Sequence, residues 1–262
     1  MKKIVAASFV FALCFNCIYP QKITVENLAD FFPGKDAAFV LYNLNADKYI
    51  KYNPERCSQQ FLPASTFKIF NSLVGLETGV IKNEDYTIKW DGTQYDIKSW
   101  NGNQSMKTAF KNSVVWYYQE VARRIGRSKM QRYLNEVGYG NMVIGSDIDK
   151  FWLDGSLQIS ADEQIEFLKR LYDNALPFSE RTMQIVKNVM IIEQNKDYVL
   201  RGKTGLGKLN PKKYIAWFVG WIEKGKDVYF FAMNMNGEDA DKLIKERLEI
   251  TENLLRYFQI IK

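Results

Sequence analysis

The chain has 262 residues, of which 36 are Lys or Arg, 30 are Asp or Glu and none is histidine. Without histidine, a Ser-His-Asp triad, a Cys-His dyad and a zinc site with a His ligand are all excluded. The hydrophobic fraction of 47% predicts a folded chain with a sizeable core. Acidic and basic side chains are interleaved throughout, which disfavours nucleic-acid binding despite the formal charge of +6.

The N-terminal segment differs in character from the rest of the chain. Lys2 and Lys3 precede the apolar run Ile4–Phe15, a pattern typical of a secretory signal. The run is short for a membrane span, and a buried N-terminal helix is the alternative interpretation. We predict a signal peptide over residues 1–20, with an approximate cleavage site, and a single two-lobed domain over 21–262. The protein would then be secreted, periplasmic in a bacterium, and without a stable membrane span after signal removal.

Two of the three cysteines, Cys14 and Cys17, lie inside this predicted signal. Neither follows the small residue that is typical of a bacterial lipidation site, so a lipid anchor is the less favoured alternative. Only Cys57 would remain, and the secreted protein is therefore predicted to lack an internal disulfide.

The first predicted elements are two strands and a helix. Ala38–Leu44 and Lys48–Tyr52 flank turn residues and predict a hairpin. Apolar residues at helical spacing predict a helix over Thr66–Glu77, and Gly79 would end it. The helices that follow end at glycine or begin at a serine cap. They are predicted over Val114–Ile125, Lys129–Val137, Ala161–Leu176 and Glu180–Ile191.

The pattern then returns to strands, predicted over Tyr198–Arg201, Tyr214–Glu223 and Asp227–Met235, before an amphipathic helix over Asp239–Ile261. This order predicts an α+β fold, in which both ends of the chain form an antiparallel sheet flanked by helices. The helical segment between them would form a second lobe, with a pocket between the lobes.

The tetrad Ser65-Thr66-Phe67-Lys68 is the only S-x-x-K in the chain. A serine and a lysine one helical turn apart lie on the same face. Ser65 would also stand where helix N-terminal amides can stabilise an oxyanion. Taken alone the tetrad is weak, because a solvated helix start explains it equally well.

Lys203-Thr204-Gly205 is the only K-T-G. A glycine two residues after a strand lysine lets a flat substrate approach the backbone, although a simple turn would explain it too. S-x-x-K followed by K-T-G is the signature of penicillin-recognising serine enzymes. Ser113-Val114-Val115 takes the place of the usual S-D-N, and no E-x-x-x-N supplies a carboxylate base before Lys203.

With these motifs in this order, the sequence resembles the class D (OXA-type) serine β-lactamases. The resemblance implies a serine β-lactamase/penicillin-binding-protein-like fold and hydrolysis of penicillin-type antibiotics, conferring resistance. It covers essentially the whole chain after the signal. The matching segments are Pro63–Lys68, Ser113-x-Val115, Tyr139-Gly140-Asn141, Trp152-Leu153, Lys203–Gly205, Trp217–Trp221 and Arg247.

The resemblance assigns the chemical steps to four residues. Ser65 would be the nucleophile that becomes acylated, and Lys68, carbamylated by carbon dioxide, would be its general base. Trp152 would donate its indole N–H to the carbamate, and a core aromatic without a catalytic role is the less favoured alternative. Ser113 would carry the proton to the leaving lactam nitrogen.

Carbamylation requires a neutral amine, and apolar burial lowers the pKa of a lysine. Phe67, Val115 and Leu153 are predicted to provide this burial and to form the carbamate pocket, with plain core packing as the alternative for Val115. The resemblance gives Tyr139-Gly140-Asn141 a structural role.

The remaining site residues are expected to bind the substrate. Lys203 and Thr204 would hold its carboxylate, and Arg247 offers a guanidinium fork for the same group. Gly205 would let the substrate approach the strand backbone. The alternative for Arg247 is a surface arginine on the last helix. On the family pattern, the backbone N–H groups of Ser65 and Leu206 would form the oxyanion hole.

Two other functions are the alternatives. A β-lactam sensor domain that stays acylated resembles the class D enzymes closely. A penicillin-binding peptidase acting on cell-wall stems shares S-x-x-K and K-T-G, but Ser113-x-Val115 and Trp152-Leu153 disfavour it. We expect a small-molecule β-lactam as the partner, no nucleic acid, and a monomer or homodimer. We expect no metal and no cofactor other than the carbamate derived from carbon dioxide on Lys68.

Overall fold

The computed structural model describes residues 28–262. The predicted signal peptide, with Cys14 and Cys17, lies outside the described residues. Cys57 is buried and free. Within the described part of the chain, no helix combines the length and apolar character needed to cross a membrane.

A six-stranded sheet is the centre of the fold, with the strand order β2-β1-β8-β7-β6-β5 and antiparallel pairing throughout. Strands from the two ends of the chain meet where β1 pairs with β8. The predicted α+β architecture is therefore confirmed. The strands are β1 (Ala37–Asn43), β2 (Lys48–Tyr52), β5 (Ile191–Gln194), β6 (Val199–Asn210), β7 (Lys213–Lys224) and β8 (Asp227–Gly237), and a separate two-stranded sheet pairs β3 (Thr87–Ile88) with β4 (Gln104–Ser105).

Helices cover both faces of the sheet. The helices are α1 (Pro54–Ser58), α2 (Lys68–Glu77), α3 (Met106–Lys111), α4 (Val115–Ile125), α5 (Arg127–Val137), α6 (Ala161–Tyr172), α7 (Glu180–Val189) and α8 (Ala240–Tyr257). Short 3-10 turns span Ala64–Phe67 and Lys98–Trp100.

The core divides along the sheet because successive strand residues point to opposite faces. Val40 belongs to the larger cluster, which the helices of the middle of the chain complete. Its neighbour Leu41 belongs to the smaller cluster, which includes Leu254 and Leu255 of α8.

Several predicted helices end earlier in the structure. The helix predicted to Leu176 stops at Tyr172, and Asn174 has a left-handed φ of 56°, which cannot continue a helix. The last helix ends at Tyr257, before Gln259 with its φ of 58°.

The helix predicted over Glu180–Ile191 ends at Val189, so its predicted end is wrong. Residues Ile191–Gln194 instead form the edge strand β5, which pairs with β6 through a register shift. The predicted strand Tyr198–Arg201 is correspondingly too short, since β6 continues to Asn210 and contains the whole K-T-G segment. Glycines interrupt the apolar alternation of β6, so the pattern alone does not reveal the length of the strand.

Candidate active site

The turn that carries Ser65 lies directly against β6. A Cβ atom at Gly205 would lie 3.0 Å from the carbonyl oxygen of Pro63, and one at Gly207 would lie 2.2 Å from Leu62 Cδ1. A side chain at Gly205 would therefore crowd the backbone of the turn, and one at Gly207 would displace the Leu62 side chain. Trp217 on β7 adds an anchor, because its indole Nε1 donates to the carbonyl of Leu62 at 3.0 Å.

The structure brings Ser65 and Lys68 together, as the S-x-x-K spacing predicts. Lys68 Nζ donates to Ser65 Oγ at 2.8 Å. Ser65 is 8% exposed and Lys68 is 1% exposed. Ser65 thus has an amine partner in hydrogen-bond range at the position where a nucleophilic serine needs a base.

The surroundings of Lys68 favour its neutral form. Burial lowers the pKa of Lys68 from 10.5 to about 7, because a charged amine loses its hydration there. Its Nζ lies 5.4 Å from the centroid of the Tyr118 ring, and Phe67 beside it is fully buried. Near neutral pH, a substantial fraction of this amine is therefore unprotonated.

Trp152 is tied to the Ser65 turn from a different part of the chain. Its carbonyl accepts the backbone N–H of Ala64 at 3.1 Å, and its ring stacks on Phe67 with centroids 5.3 Å apart. The indole Nε1 is buried and has no hydrogen-bond partner among residues 28–262. A buried donor without a partner costs free energy, so this N–H is available to an acceptor that enters the site.

A second serine–lysine pair lies beside the first. Lys203 Nζ donates to Ser113 Oγ at 2.5 Å and to the carbonyl of Thr204 at 3.0 Å. Ser113 lies between α3 and α4 with a left-handed φ of 54°, an uncommon conformation for a residue with a side chain. Ala64, which precedes Ser65, shares this feature with a φ of 48°. Strained backbone next to both serines is typical of a functional site.

Arg247 reaches the K-T-G segment from α8. It is 8% exposed, and its Nη1 donates to the carbonyl of Gly205 at 2.6 Å. Its Nε is buried and has no partner in the described residues. Burial lowers the pKa of Arg247 to about 10, which still leaves it charged at neutral pH. The alternative of a solvent-exposed surface arginine is therefore wrong.

These side chains make the site electropositive. Burial, together with the charges of Lys68 and Arg247, holds the pKa of Lys203 well below its usual value. In the part of the chain that the structure describes, none of these three basic side chains forms an ion pair with a carboxylate. An anionic ligand would relieve this repulsion, and the site is therefore suited to a carboxylate.

The other predicted residues occupy more varied positions. Val115, the first residue of α4, and Leu153 are half-buried, and Leu153 packs against the larger core cluster. Thr204 and Leu206 on β6 are also half-buried, and Leu206 packs against the smaller cluster. The roles of Val115 and Leu153 at Lys68, and of Leu206 in an oxyanion hole, stay predictions.

The Tyr139-Gly140-Asn141 segment supports the loop that carries Trp152. Asn141 donates through its Nδ2 to the carbonyl of Ser156 at 2.9 Å and accepts from the backbone N–H of Gln158 at 3.0 Å. Gly140 has a φ of 54°, and a Cβ there would lie 2.0 Å from the Gln158 carbonyl oxygen. These contacts are all to backbone atoms, as expected for a segment with a structural role.

Two aromatic residues of the site were not predicted from the sequence. Tyr118 faces Lys68, and Phe110 has its ring centroid 5.6 Å from Lys203 Nζ. The helical spacing of α4 marks Tyr118 as a core position. No local pattern connects either ring to a lysine that is distant in sequence.

Comparisons with known proteins agree with this geometry. The family model for the penicillin binding protein transpeptidase domain matches residues 37–256. Beta-lactamase OXA-48 of Klebsiella pneumoniae is 48% identical over 223 residues, covering 85% of this chain and 83% of that protein. The crystal structure of FUS-1 (OXA-85), a class D β-lactamase from Fusobacterium nucleatum subsp. polymorphum, superposes with a TM-score of 0.87 at 41% identity, covering 90% of this chain and 99% of the other.

The chain belongs to the class D β-lactamases. The predicted family and the β-lactamase/penicillin-binding-protein-like fold are confirmed. The chain is also similar to the regulatory protein BlaR1 of Bacillus licheniformis, which is 39% identical over 218 residues, covering 82% of this chain but 36% of that protein.

Proposed function

We propose that this protein hydrolyses the β-lactam ring of penicillin-type antibiotics through an acyl-enzyme on Ser65. The observation that carries the proposal is the hydrogen bond from Lys68 Nζ to Ser65 Oγ at 2.8 Å, made by a buried amine whose pKa is about 7. In a chain without histidine, this pair supplies the nucleophile and the group that activates it. The similarity to OXA-48 supports the same reaction class.

We further propose that Lys68 reacts with carbon dioxide. The neutral nitrogen would attack the carbon of carbon dioxide and release a proton, leaving an anionic carbamate. The residues present fit such a group: Lys68 is buried with a lowered pKa, and the Trp152 indole N–H is buried without a partner among the described residues. When present, the carbamate would supply an oxygen base for acylation and for hydrolysis of the ester.

The chain's own residues would perform the following steps. The Ser65 hydroxyl would give its proton to the base at Lys68 while its oxygen bonds to the lactam carbonyl carbon. The carbon–nitrogen bond of the ring would then break, and the Ser113 hydroxyl, hydrogen-bonded to Lys203, would relay that proton to the nitrogen. A water molecule would next give a proton to the base at Lys68 and attack the ester carbonyl, and the Ser65 oxygen would take up this proton as it leaves.

Basic and polar residues of β6 and α8 would bind the substrate. Lys203 and Thr204 would hold the substrate carboxylate, and Arg247 would contribute its charge from α8. The Arg247 Nη1 bond to the Gly205 carbonyl fixes the guanidinium at the strand edge before substrate arrives. This preorganisation reduces the ordering cost of binding.

The decisive experiment for the carbamate uses protein incubated with carbon-13-labelled bicarbonate. We expect a new carbonyl resonance by NMR that is absent in Lys68→Ala and retained in Lys203→Ala, which removes the second buried lysine of the site. Activity lost in degassed acidic buffer should return when bicarbonate is added. A resonance that survives in Lys68→Ala, or activity indifferent to bicarbonate, would contradict the proposed base.

The similarity to BlaR1 favours a sensor as the second candidate function. A sensor would be acylated once and stay acylated. With excess chromogenic cephalosporin, we expect many turnovers per protein molecule, whereas a single stoichiometric burst would identify a sensor. Release of D-Ala from a stem peptide, without β-lactam turnover, would instead identify a peptidase.

We propose that the protein is secreted to the bacterial periplasm after removal of residues 1–20 and confers resistance there. Expressed from its full sequence in a bacterial host, it should appear in the osmotic-shock fraction with a shortened N-terminus and raise the inhibitory concentration of a penicillin. Ser65→Ala should remove the resistance but not the export. Sedimentation of the protein purified from the same fraction would distinguish a monomer from a homodimer.

A further inference from the structure

A groove continues from the K-T-G segment toward the edge of the sheet, away from Ser65. It is formed by α3, β5, β6 and α8, and encloses about 420 Å³. Its walls include Phe110 of α3, Ile192 of β5, Thr204 of β6 and Leu248 of α8. We call it the edge groove. Neither Ser65 nor Lys68 lines it, whereas Lys203 does.

The strand geometry places this groove relative to a bound substrate. The Ser65 turn contacts β6 at Gly205 and Gly207, and the edge groove begins at Thr204 and extends past Gly202. Three residues of strand span about 10 Å, so Gly202 is about that far from the contact at Gly205. A β-lactam with its carbonyl at Ser65 and its carboxylate at Lys203 would direct the neighbouring ring substituent into this groove.

The floor of the groove is apolar. A Cβ at Gly202 would lie 3.2 Å from Ile192 Cδ1, so the Ile192 side chain packs directly over the bare backbone of β6. Ile192 is 53% exposed, so part of its apolar side chain is in contact with water. Contact with an apolar stem of a ligand would remove this surface from water.

The rim of the groove is positively charged. Lys107 and Lys111 of α3 line it together with Lys203, and no acidic residue within 28–262 is among its lining residues. Lys107 and Lys111 are exposed and form no ion pair in the described chain. The carbonyl of Met190, which follows α7 and also lines the groove, already accepts the backbone N–H of Gly202 at 2.9 Å. It is therefore not an unpaired acceptor beside the two lysines.

We propose that the edge groove is a substrate subsite that selects β-lactams carrying a second anionic group on the ring carbon next to the carboxylate. An apolar linker would lie on Ile192, and its terminal anion would meet Lys107 and Lys111. This assignment rests on the proposed function, since it uses the placement of the lactam carbonyl at Ser65. It adds a specificity determinant that neither sequence motif contains.

The test uses two cephalosporins that are identical except at the end of the C3 substituent. One carries a (carboxymethyl)thiomethyl group and the other the matching carboxamide, so that only the charge differs. We expect the wild-type protein to prefer the carboxylate by about fivefold in kcat/KM, mainly through KM, because two exposed cations contribute modestly. Raising the salt concentration should reduce the preference.

Three variants locate the effect. Lys107→Gln combined with Lys111→Gln should abolish the preference, whereas Lys129→Gln combined with Lys226→Gln, two exposed lysines outside the groove, should retain it. Ile192→Glu should invert the preference by placing a carboxylate in the groove. Equal kcat/KM for the two compounds in the wild type, or an unchanged preference in the Lys107/Lys111 variant, would overturn the subsite.

Acylation by each compound is measured in parallel by intact-protein mass spectrometry, with the same preference expected in its second-order rate constant. Acylation that shows the preference but no turnover supports the subsite and contradicts hydrolysis. Normal turnover with no preference contradicts the subsite alone. Failure of both compounds to acylate the protein overturns the proposed function and the subsite with it.

Discussion

The two buried serine–lysine pairs have similar contacts but different surroundings. In each, a lysine Nζ donates to a serine Oγ, at 2.8 Å for Lys68 and Ser65 and at 2.5 Å for Lys203 and Ser113. The Lys68 amine lies near the aromatic ring of Tyr118, and burial alone accounts for its lowered pKa. Lys203 has an additional partner, the Thr204 carbonyl, and lines the open edge groove.

This difference separates two tasks. An amine in a dry aromatic pocket loses its charge and can act as a base or react with carbon dioxide. Lys203 lies beside an accessible groove and another cation. An anion that binds there would raise the pKa of Lys203 and favour its charged form. Both residues are lysines, so the residue type does not distinguish the base from the anion-binding group. What differs is that Lys203 lines the edge groove and Lys68 does not.

The largest expected effect comes from removing the first pair's amine. Lys68→Ala should lower kcat about 10³-fold with little change in KM, because the general base is lost. The matched variant Lys203→Ala should mainly raise KM. Steady-state kinetics with a chromogenic cephalosporin, with circular dichroism as the folding control, measure both. If both substitutions change the same parameter, kcat or KM, by the same factor, the assignment of Lys68 as base and Lys203 as substrate-binding residue is wrong.

Trp152→Phe should slow deacylation by ~30-fold, since a hydrogen bond to a charged group is lost while the aromatic packing on Phe67 is kept. Stopped-flow kinetics should show a burst followed by a slow steady state. Trp221→Phe is the control, because this buried indole donates to Glu223. Deacylation at the wild-type rate in Trp152→Phe would leave Trp152 as a core residue only.

Arg247→Ala should raise KM about tenfold and change kcat less, because one charged contact to the substrate carboxylate is removed. Arg256→Ala, an exposed arginine on the same helix, should leave both constants unchanged. A fall in kcat with an unchanged KM would assign Arg247 to the transition state instead of the bound substrate.

A prediction about stability, and not about activity, tests the protonation state of Lys68 in the folded protein. Its pKa is about 7 when folded and near 10.5 when exposed, so between these pH values the unfolded chain binds more protons. The free energy of unfolding should therefore rise with pH across this window, by up to about 1.4 kcal/mol per pH unit from this group. Lys68→Met should remove that part of the slope in urea titrations performed in buffer free of carbon dioxide. An identical slope in both proteins would mean that Lys68 is hydrated and charged.

Much of the fold was predictable from local patterns. The hairpin of β1 and β2 and the capping box at Ser160 depend on turn and cap residues close in sequence. The edge strand β5 was missed because its pairing with β6 and its register shift are tertiary features. The full length of β6 was hidden by Gly205 and Gly207, whose purpose is apparent only when the Ser65 turn lies against them.

The order of the motifs and the lack of histidine were sufficient, from sequence alone, to identify the family and to nominate Ser65 and Lys68. Only the tertiary structure showed that the Lys68 amine is shielded from water, that Arg247 is buried against Gly205, and that a cationic groove lies beyond Lys203. The reason is physical. A motif records residues near each other along the chain, whereas pKa, access and charge depend on side chains that folding brings together from distant segments.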